Sequence, residues 1–243
     1  MDDTTLVEVG VKARGSNMQS AADQVCKWSE DNELGLNTTK TKDMLISFGA
    51  EPDIPPLTMN NAIIERVKSS KLLGVFIQSN LEWDVHVNYL NAKCSTRLHF
   101  LRLLKRGGLT TSELTTWYIA LIRQVCEYAC PVWATGLTKK LSDTLESIQI
   151  RVCRIILPKC DYDNARETLK LKLLSERRLE LCKTLFIQMQ KPEHKLHHLL
   201  PKERVIPSGP ASSIRNFKKY EPPKWKTKRF KNSFVPYCLY NFQ

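Results

Sequence analysis

No stretch of the 243 residues stays apolar long enough to span a bilayer, and no charged-then-apolar leader opens the chain. A soluble, intracellular protein is expected, in nucleus or cytoplasm alike, with no membrane among its partners. Closely paired cysteines are missing too. The eight present, Cys26, Cys94, Cys126, Cys130, Cys153, Cys160, Cys182 and Cys238, never stand in a Cys-x-x-Cys spacing, so neither a zinc ribbon nor a disulfide frame is indicated. Cys126 and Cys130 share a face of a predicted helix, with His194, His197 and His198 far downstream; buried reduced thiols explain them more simply than a zinc site. Acidic residues run short. Against 37 Lys and Arg there are 25 Asp and Glu, a net charge of +12, which points to a polyanion whose counterions the cations would release. A merely soluble basic protein has the same balance. The 42% hydrophobic content excludes a disordered composition and allows one or two domains.

What is present begins at the first residues. Asp2 and Asp3 run into a short β-branched, alternating segment, of which Leu6 to Val9 reads as the outgoing strand of a hairpin. An Asp pair at a terminus is ordinarily solvated; two adjacent carboxylates are also what a hard cation takes as ligands. After Gly10 and Gly15, Ser16 and Gln19 have capping-box spacing, and Ala21, Ala22, Val25 and Trp28 recur at helical steps, predicting a helix that ends before Gly35. Asn37-Thr38-Thr39-Lys40-Thr41 follows, which by itself reads as a polar turn with a solvated Lys, then strands at 44–48 and 62–67 around a proline-punctuated loop. Residues 71–77 are an apolar run with Gly74 at its centre, a strand in which the Gly marks a kink or a close backbone approach.

From Trp83 the period changes. Val87, Leu90, Cys94, Leu98, Leu101 and Leu104 recur every three or four residues, with Lys93, Arg97, Arg102 and Lys105 off the stripe, and Gly107-Gly108 ends this amphipathic helix. Thr110 and Glu113 offer a second capping box for a helix carrying Leu114, Trp117, Tyr118, Leu121, Ile122 and Val125, stopped before Pro131. A third helix spans 141–157, with Leu145, Ile148, Val152 and Ile155 on its apolar face and Arg151, Arg154 and Lys159 near its end. A fourth covers 175–189, with Leu179, Cys182, Leu185 and Phe186 inward. Beyond Pro192 the chain reads as loop. There Lys218, Lys219, Lys224, Lys226, Lys228, Arg229 and Lys231 alternate with Phe217, Tyr220, Trp225 and Phe230, a mixture that suits nucleic acid, since cations follow phosphate and rings stack on unpaired bases; a basic tail without a fixed partner looks the same.

In this order and at these spacings, nearly the whole chain resembles the back half of a reverse transcriptase from a non-LTR (LINE-type) retrotransposon. The resemblance rests on Asp2-Asp3, on Asn37 to Thr41, on Leu73-Gly74-Val75, on Lys93, Arg97, Leu101, Lys105 and Arg106, and on Tyr118, Arg123 and Glu127-Tyr128-Ala129 ahead of Pro131 and Trp133. Residues 229–237 are similar to the ends of related element polymerases, so the natural C-terminus is expected to be present. The resemblance implies an α+β fold. A truncated polymerase palm, a short antiparallel sheet with a packed helix, would occupy 1–80; an all-α thumb bundle 81–190; and an irregular basic tail 191–243. It implies that Asp2 and Asp3 hold catalytic Mg²⁺, with Met1 in the variable position of the family's aromatic-x-Asp-Asp motif and the aromatic missing. Lys40 would stand by the leaving pyrophosphate, and Leu73, Gly74 and Val75 would form the primer grip.

The partner implied is an RNA template–DNA primer duplex. Lys93, Arg97, Lys105 and Arg106 of the thumb would touch its phosphates, and Lys218, Lys219, Lys226, Lys228, Arg229 and Lys231 would extend the contact through the tail. The family's reaction adds deoxynucleotides from dNTPs to a primer 3′ hydroxyl. It also needs a third carboxylate and fingers that this sequence does not contain, so the chain is expected to be inactive alone, with the N-terminal polymerase half as a candidate partner. A non-catalytic nucleic-acid-binding remnant, using thumb and tail, is the alternative.

Overall fold

A computed structural model describes residues 4–9, 16–47, 53–204 and 219–243, and its contacts divide the chain after Glu82 into two units. The protein is mixed α+β, with few and short strands. Among the described residues no helix is long and apolar enough to cross a membrane.

The first unit, 1–82, is built on helix α1 (Met18–Asp31), which buries Ala22, Cys26 and Ser29 and leaves Trp28 half exposed. Its start is not the capping box predicted. Glu8, from a segment that forms no strand, accepts from the Ser16 hydroxyl (2.6 Å) and the Asn17 amide (2.8 Å), and Ser16 Oγ accepts from the Met18 amide at 3.2 Å. A carboxylate borrowed from upstream thus serves the orphan amides and the positive end of the helix. The Ser16 hydroxyl, then the Asn17 amide, hold the Glu8 carboxyl below its ordinary pKa. Gln19 is used sideways instead, accepting from the Thr58 amide (2.9 Å) and donating to the Thr58 carbonyl (2.8 Å).

Thr58 lies in the second of the six strands among the described residues: β1 (Lys42–Asp43), β2 (Thr58–Met59), β3 (Ala62–Ile63), β4 (Glu65–Arg66), β5 (Ser69–Leu72) and β6 (Val75–Gln78). They make three separate pairs, β1–β4 parallel and β2–β3 and β5–β6 antiparallel, where one antiparallel sheet was expected. Residues 44–47, expected as strand, carry none. Both hairpins turn on two residues with positive φ, Asn60-Asn61 (49° and 59°) and Leu73-Gly74 (45° and 86°), the conformation whose twist matches paired strands. Opposite β1, Glu65 pairs with Lys42 and Arg66 with Asp43 (2.7 Å), and the Arg66 guanidinium also donates to the Ile54 and Pro55 carbonyls, pinning the proline loop. Ala22, Cys26, Met59 and Ile64 form the core of this unit.

The second unit, 83–243, is helical. Helix α2 (Asp84–Arg106) buries Val87, Leu90, Cys94, Leu98 and Leu101, as its stripe requires, and ends where Gly108 takes φ +89°. Helix α3 (Thr111–Tyr118) opens on the expected Thr110–Glu113 capping box. A π-helical turn (Ile119–Arg123) carries it into α4 (Gln124–Glu127), which breaks at Ala129, φ +49°, ahead of Pro131. Pro131 falls in the first turn of α5 (Cys130–Trp133), where a missing N–H costs nothing. Helix α6 (Lys139–Ile156) is capped by Thr138, α7 (Tyr162–Thr168), which the sequence reading did not anticipate, by Asp161, and α8 (Leu174–Met189) follows.

Residues 219–243 are not the irregular tail expected. They form α9 (Lys228–Lys231) and α10 (Phe234–Asn241), and Tyr220, Cys238 and Leu239 bury themselves against Phe186 of α8. This last segment therefore shares the core of the bundle.

Candidate nucleic-acid interface

Charge is divided unequally between the units. Residues 1–82 hold 8 Lys and Arg against 12 Asp and Glu, a net of −4, while 83–243 hold 29 against 13, a net of +16. The whole basic excess belongs to the helical unit. A field of one sign on one body attracts a polyanion to that body.

Within it, α2 and α6 are joined along their length. Arg151 donates to Asn91 Oδ1 (2.7 Å) and to Ser95 Oγ (3.4 Å). Lys105 places its ammonium on the carbonyl oxygens of Ile155 and Ile156 (2.8 Å to the latter), capping the negative end of α6. That contact brings Arg102 and Arg106 of α2 to the same end of the bundle as Arg154 and Lys159, and all four side chains are exposed. Four exposed cations, Arg102 and Arg106 on α2, Arg154 on α6 and Lys159 just beyond α6, therefore lie toward one end of the bundle.

The cations predicted on α2 thus separate by role. Arg106 and Lys93 are exposed, Lys93 lying over the Tyr89 ring at 5.7 Å. Arg97 donates to the Leu121 carbonyl in the π-helical turn, and Lys105 caps α6, so both are engaged by backbone. In the last segment Lys219 pairs with Glu203 (2.7 Å), and Lys231 lies over the rings of Trp225 (4.7 Å) and Tyr240 (5.8 Å). Lys226, Lys228 and Arg229 are exposed, and Lys218 lies outside the described residues.

Lys40 is exposed in a turn built by Asn37, whose Oδ1 accepts from the Thr39 hydroxyl (2.7 Å) and the Lys40 amide (3.1 Å), while its carbonyl accepts from the Thr41 hydroxyl (2.9 Å). Asn and Thr at these spacings make such a turn locally. Leu73 and Gly74 form the β5–β6 turn rather than the middle of a strand, with Leu73 72% exposed and Val75 buried. Asp2 and Asp3 lie outside the described residues. Among the described residues no three His, Cys, Asp or Glu side chains are grouped to hold a metal.

Several polar residues in the bundle interior escaped the sequence reading. Arg178, 2% exposed, donates to Ser142 Oγ (3.0 Å) with its guanidinium over the Trp133 ring; burial pushes its pKa down, against the pull of Glu146. Tyr118 donates to Gln149 Oε1, Gln149 Nε2 donates to Tyr162 Oη (2.9 Å) and to the Lys172 carbonyl (3.0 Å), and Tyr162 donates to Glu146. A directed chain of donors ends on a carboxylate. Burial and that carboxylate raise the Tyr162 pKa. The signal for Arg178 was its place four residues from both Leu174 and Cys182, on the buried stripe of α8. Against known proteins, the chain matches no family model, no curated protein and no solved structure.

Proposed function

We propose that the chain is the C-terminal portion of an RNA-directed DNA polymerase of the non-LTR retrotransposon type, and that its helical unit holds the backbone of a template–primer duplex. The exposure of Arg102, Arg106, Arg154 and Lys159 toward one end of a unit with net charge +16 carries the binding part of this reading. Cations spaced along and beyond two packed helices suit the phosphates of a duplex, and such contacts read shape and charge rather than sequence. The sequence resemblance supplies the polymerase part. In that reading Asp2 and Asp3 hold Mg²⁺, Lys40 stands on the pyrophosphate side and the Leu73-Gly74 turn with Val75 is the primer grip.

A second reading, nucleic-acid binding without catalysis, is favoured by one observation. The strands of the first unit are two to four residues long and form no continuous sheet among the described residues, whereas metal-holding carboxylates need a rigid platform. Primer extension on an RNA template with Mg²⁺ separates the two. Extension above that of an Asp2→Ala, Asp3→Ala variant supports the polymerase, and extension equal to it, with duplex binding retained, supports binding alone.

A further inference from the structure

Residues 219–243 contain six Lys and Arg and seven aromatic rings, with Glu221 the one acidic residue. The fold sorts them into two kinds. Lys219, itself exposed, pairs with Glu203, and Lys231 lies over the Trp225 and Tyr240 rings. Lys224, Lys226, Lys228 and Arg229 are exposed, and so are two large rings, Trp225 at 42% and Phe230 at 45%. The other kind of ring is buried, with Tyr220 1% exposed beside Phe186, Cys238 and Leu239.

The backbone that carries the exposed rings is held by specific contacts. Tyr240 donates its hydroxyl to the Pro223 carbonyl (2.9 Å), fixing the approach to Trp225, and the Lys231 ammonium lies over the indole. Thr227 Oγ1 accepts from the Phe230 amide (3.2 Å), and the Ser233 hydroxyl donates to the Phe230 carbonyl (2.6 Å). Two aromatic side chains are therefore presented to solvent on an ordered segment, among cations, so little ordering remains to be done on binding.

We propose that this segment is a binding site for single-stranded nucleic acid, on which unpaired bases stack against Trp225 and Phe230 while Lys226, Lys228 and Arg229 follow the phosphates. The proposal rests on the nucleic-acid reading above and adds a second site with a different ligand. A duplex keeps its base faces stacked on one another and gives an exposed indole nothing to cover it; a single strand offers a π-face at every base. Lys231 is the positioning residue, since its ammonium holds the indole from one side.

The test uses the full chain and two labelled probes, an oligo-dT of about twelve nucleotides and a blunt RNA–DNA hairpin duplex, read by fluorescence anisotropy. The Trp225→Ala, Phe230→Ala variant is expected to lose oligo-dT affinity by about thirtyfold or more while binding the duplex as before, because both stacking surfaces are removed. Trp225→Phe is expected to restore part of the loss. Quenching of tryptophan emission by oligo-dT, absent in Trp225→Phe, reads the stacking directly and does not depend on the double variant folding. Equal loss on both probes, no loss on oligo-dT, or competition by poly-glutamate as strong as by oligo-dT overturns the proposal. Wild-type protein that binds the duplex but not oligo-dT also overturns it, and leaves the duplex reading standing; failure to bind either probe removes both.

Discussion

Arg177 grips Glu127 through two hydrogen bonds, 3.0 Å from Nε and 3.2 Å from Nη2, and so fastens α8 to the last residue of α4. Arg123 approaches the same carboxylate at 3.6 Å. Immediately beyond, Ala129 takes its left-handed turn, so the carboxylate secures the helix just before it breaks. The Glu-Tyr-Ala motif that helps carry the family resemblance has a structural role here. A planar fork matched to a carboxylate is poorly replaced by an ammonium. Arg177→Lys is expected to lower the unfolding free energy by about 1–2 kcal/mol, and Glu127→Gln by a similar amount. Denaturant titration of both singles and the double should show less than additive losses, and additivity would deny the pairing.

Lys105 and Arg106 are neighbours in sequence, one placed on the α6 carbonyls and the other exposed. Because the Lys105 ammonium sits on the α6 carbonyls, Lys105→Met should destabilise the protein by about 1 kcal/mol while changing the salt dependence of duplex binding little. Arg106→Ala should leave the melting temperature unchanged and reduce the magnitude of the salt slope by about one. The reverse pattern would mean that the two side chains had been assigned the wrong way round.

His86 gives the stability a pH dependence. It is wholly buried beside the Trp83, Tyr89 and Trp133 rings, and burial pushes its pKa down from 6.5 to about 4. The unfolded chain takes the proton more readily than the fold does. Its contribution is therefore complete above pH 6.5 and is lost as pH falls toward 4, on the order of 3 kcal/mol in all. Denaturation of wild type and His86→Gln across this window should show a steeper fall in the wild type than in the variant. An unchanged slope in the variant would assign it elsewhere.

The cysteines report on packing. Seven are buried and Cys160 is exposed, while Cys94 and Cys126 share a thiol–thiol hydrogen bond at 3.6 Å inside the bundle, both as free cysteines. Burial pushes the Cys153 thiol up to about 11 and Cys238 to about 12, which further suppresses their thiolates. Alkylation of the native protein, followed by mass spectrometry, should modify Cys160 first and the others only with unfolding. Rapid modification of Cys126 or Cys182 would contradict the bundle core.

How legible the fold was depended on where each partner lay. The stripe of α2 and the Thr110–Glu113 cap were readable because every residue involved is within a turn or two. The cap of α1 was not, since Glu8 is eight residues from Ser16 and joined to it only in the fold. Leu73-Gly74 was taken for the centre of a strand because its apolar flanks hide the turn, and Leu is an uncommon occupant of positive φ. The last segment looked irregular because its anchor, Phe186, is about fifty residues upstream of Cys238 and Leu239. At the candidate site, the cations themselves could be read from the sequence. Which of them are exposed, and that Arg106 shares an end of the bundle with Arg154, follows from a contact between Lys105 and Ile156 that no local pattern encodes.

The most direct test of the account is the salt dependence of binding between the full chain and a blunt RNA–DNA duplex, without Mg²⁺. With four phosphate contacts from Arg102, Arg106, Arg154 and Lys159, the logarithm of the association constant should fall against the logarithm of salt with a slope of about −4. In Arg106→Ala, Arg154→Ala the slope should drop by about two. No saturable binding at about 50 mM salt, or a slope indifferent to the double substitution, would contradict it.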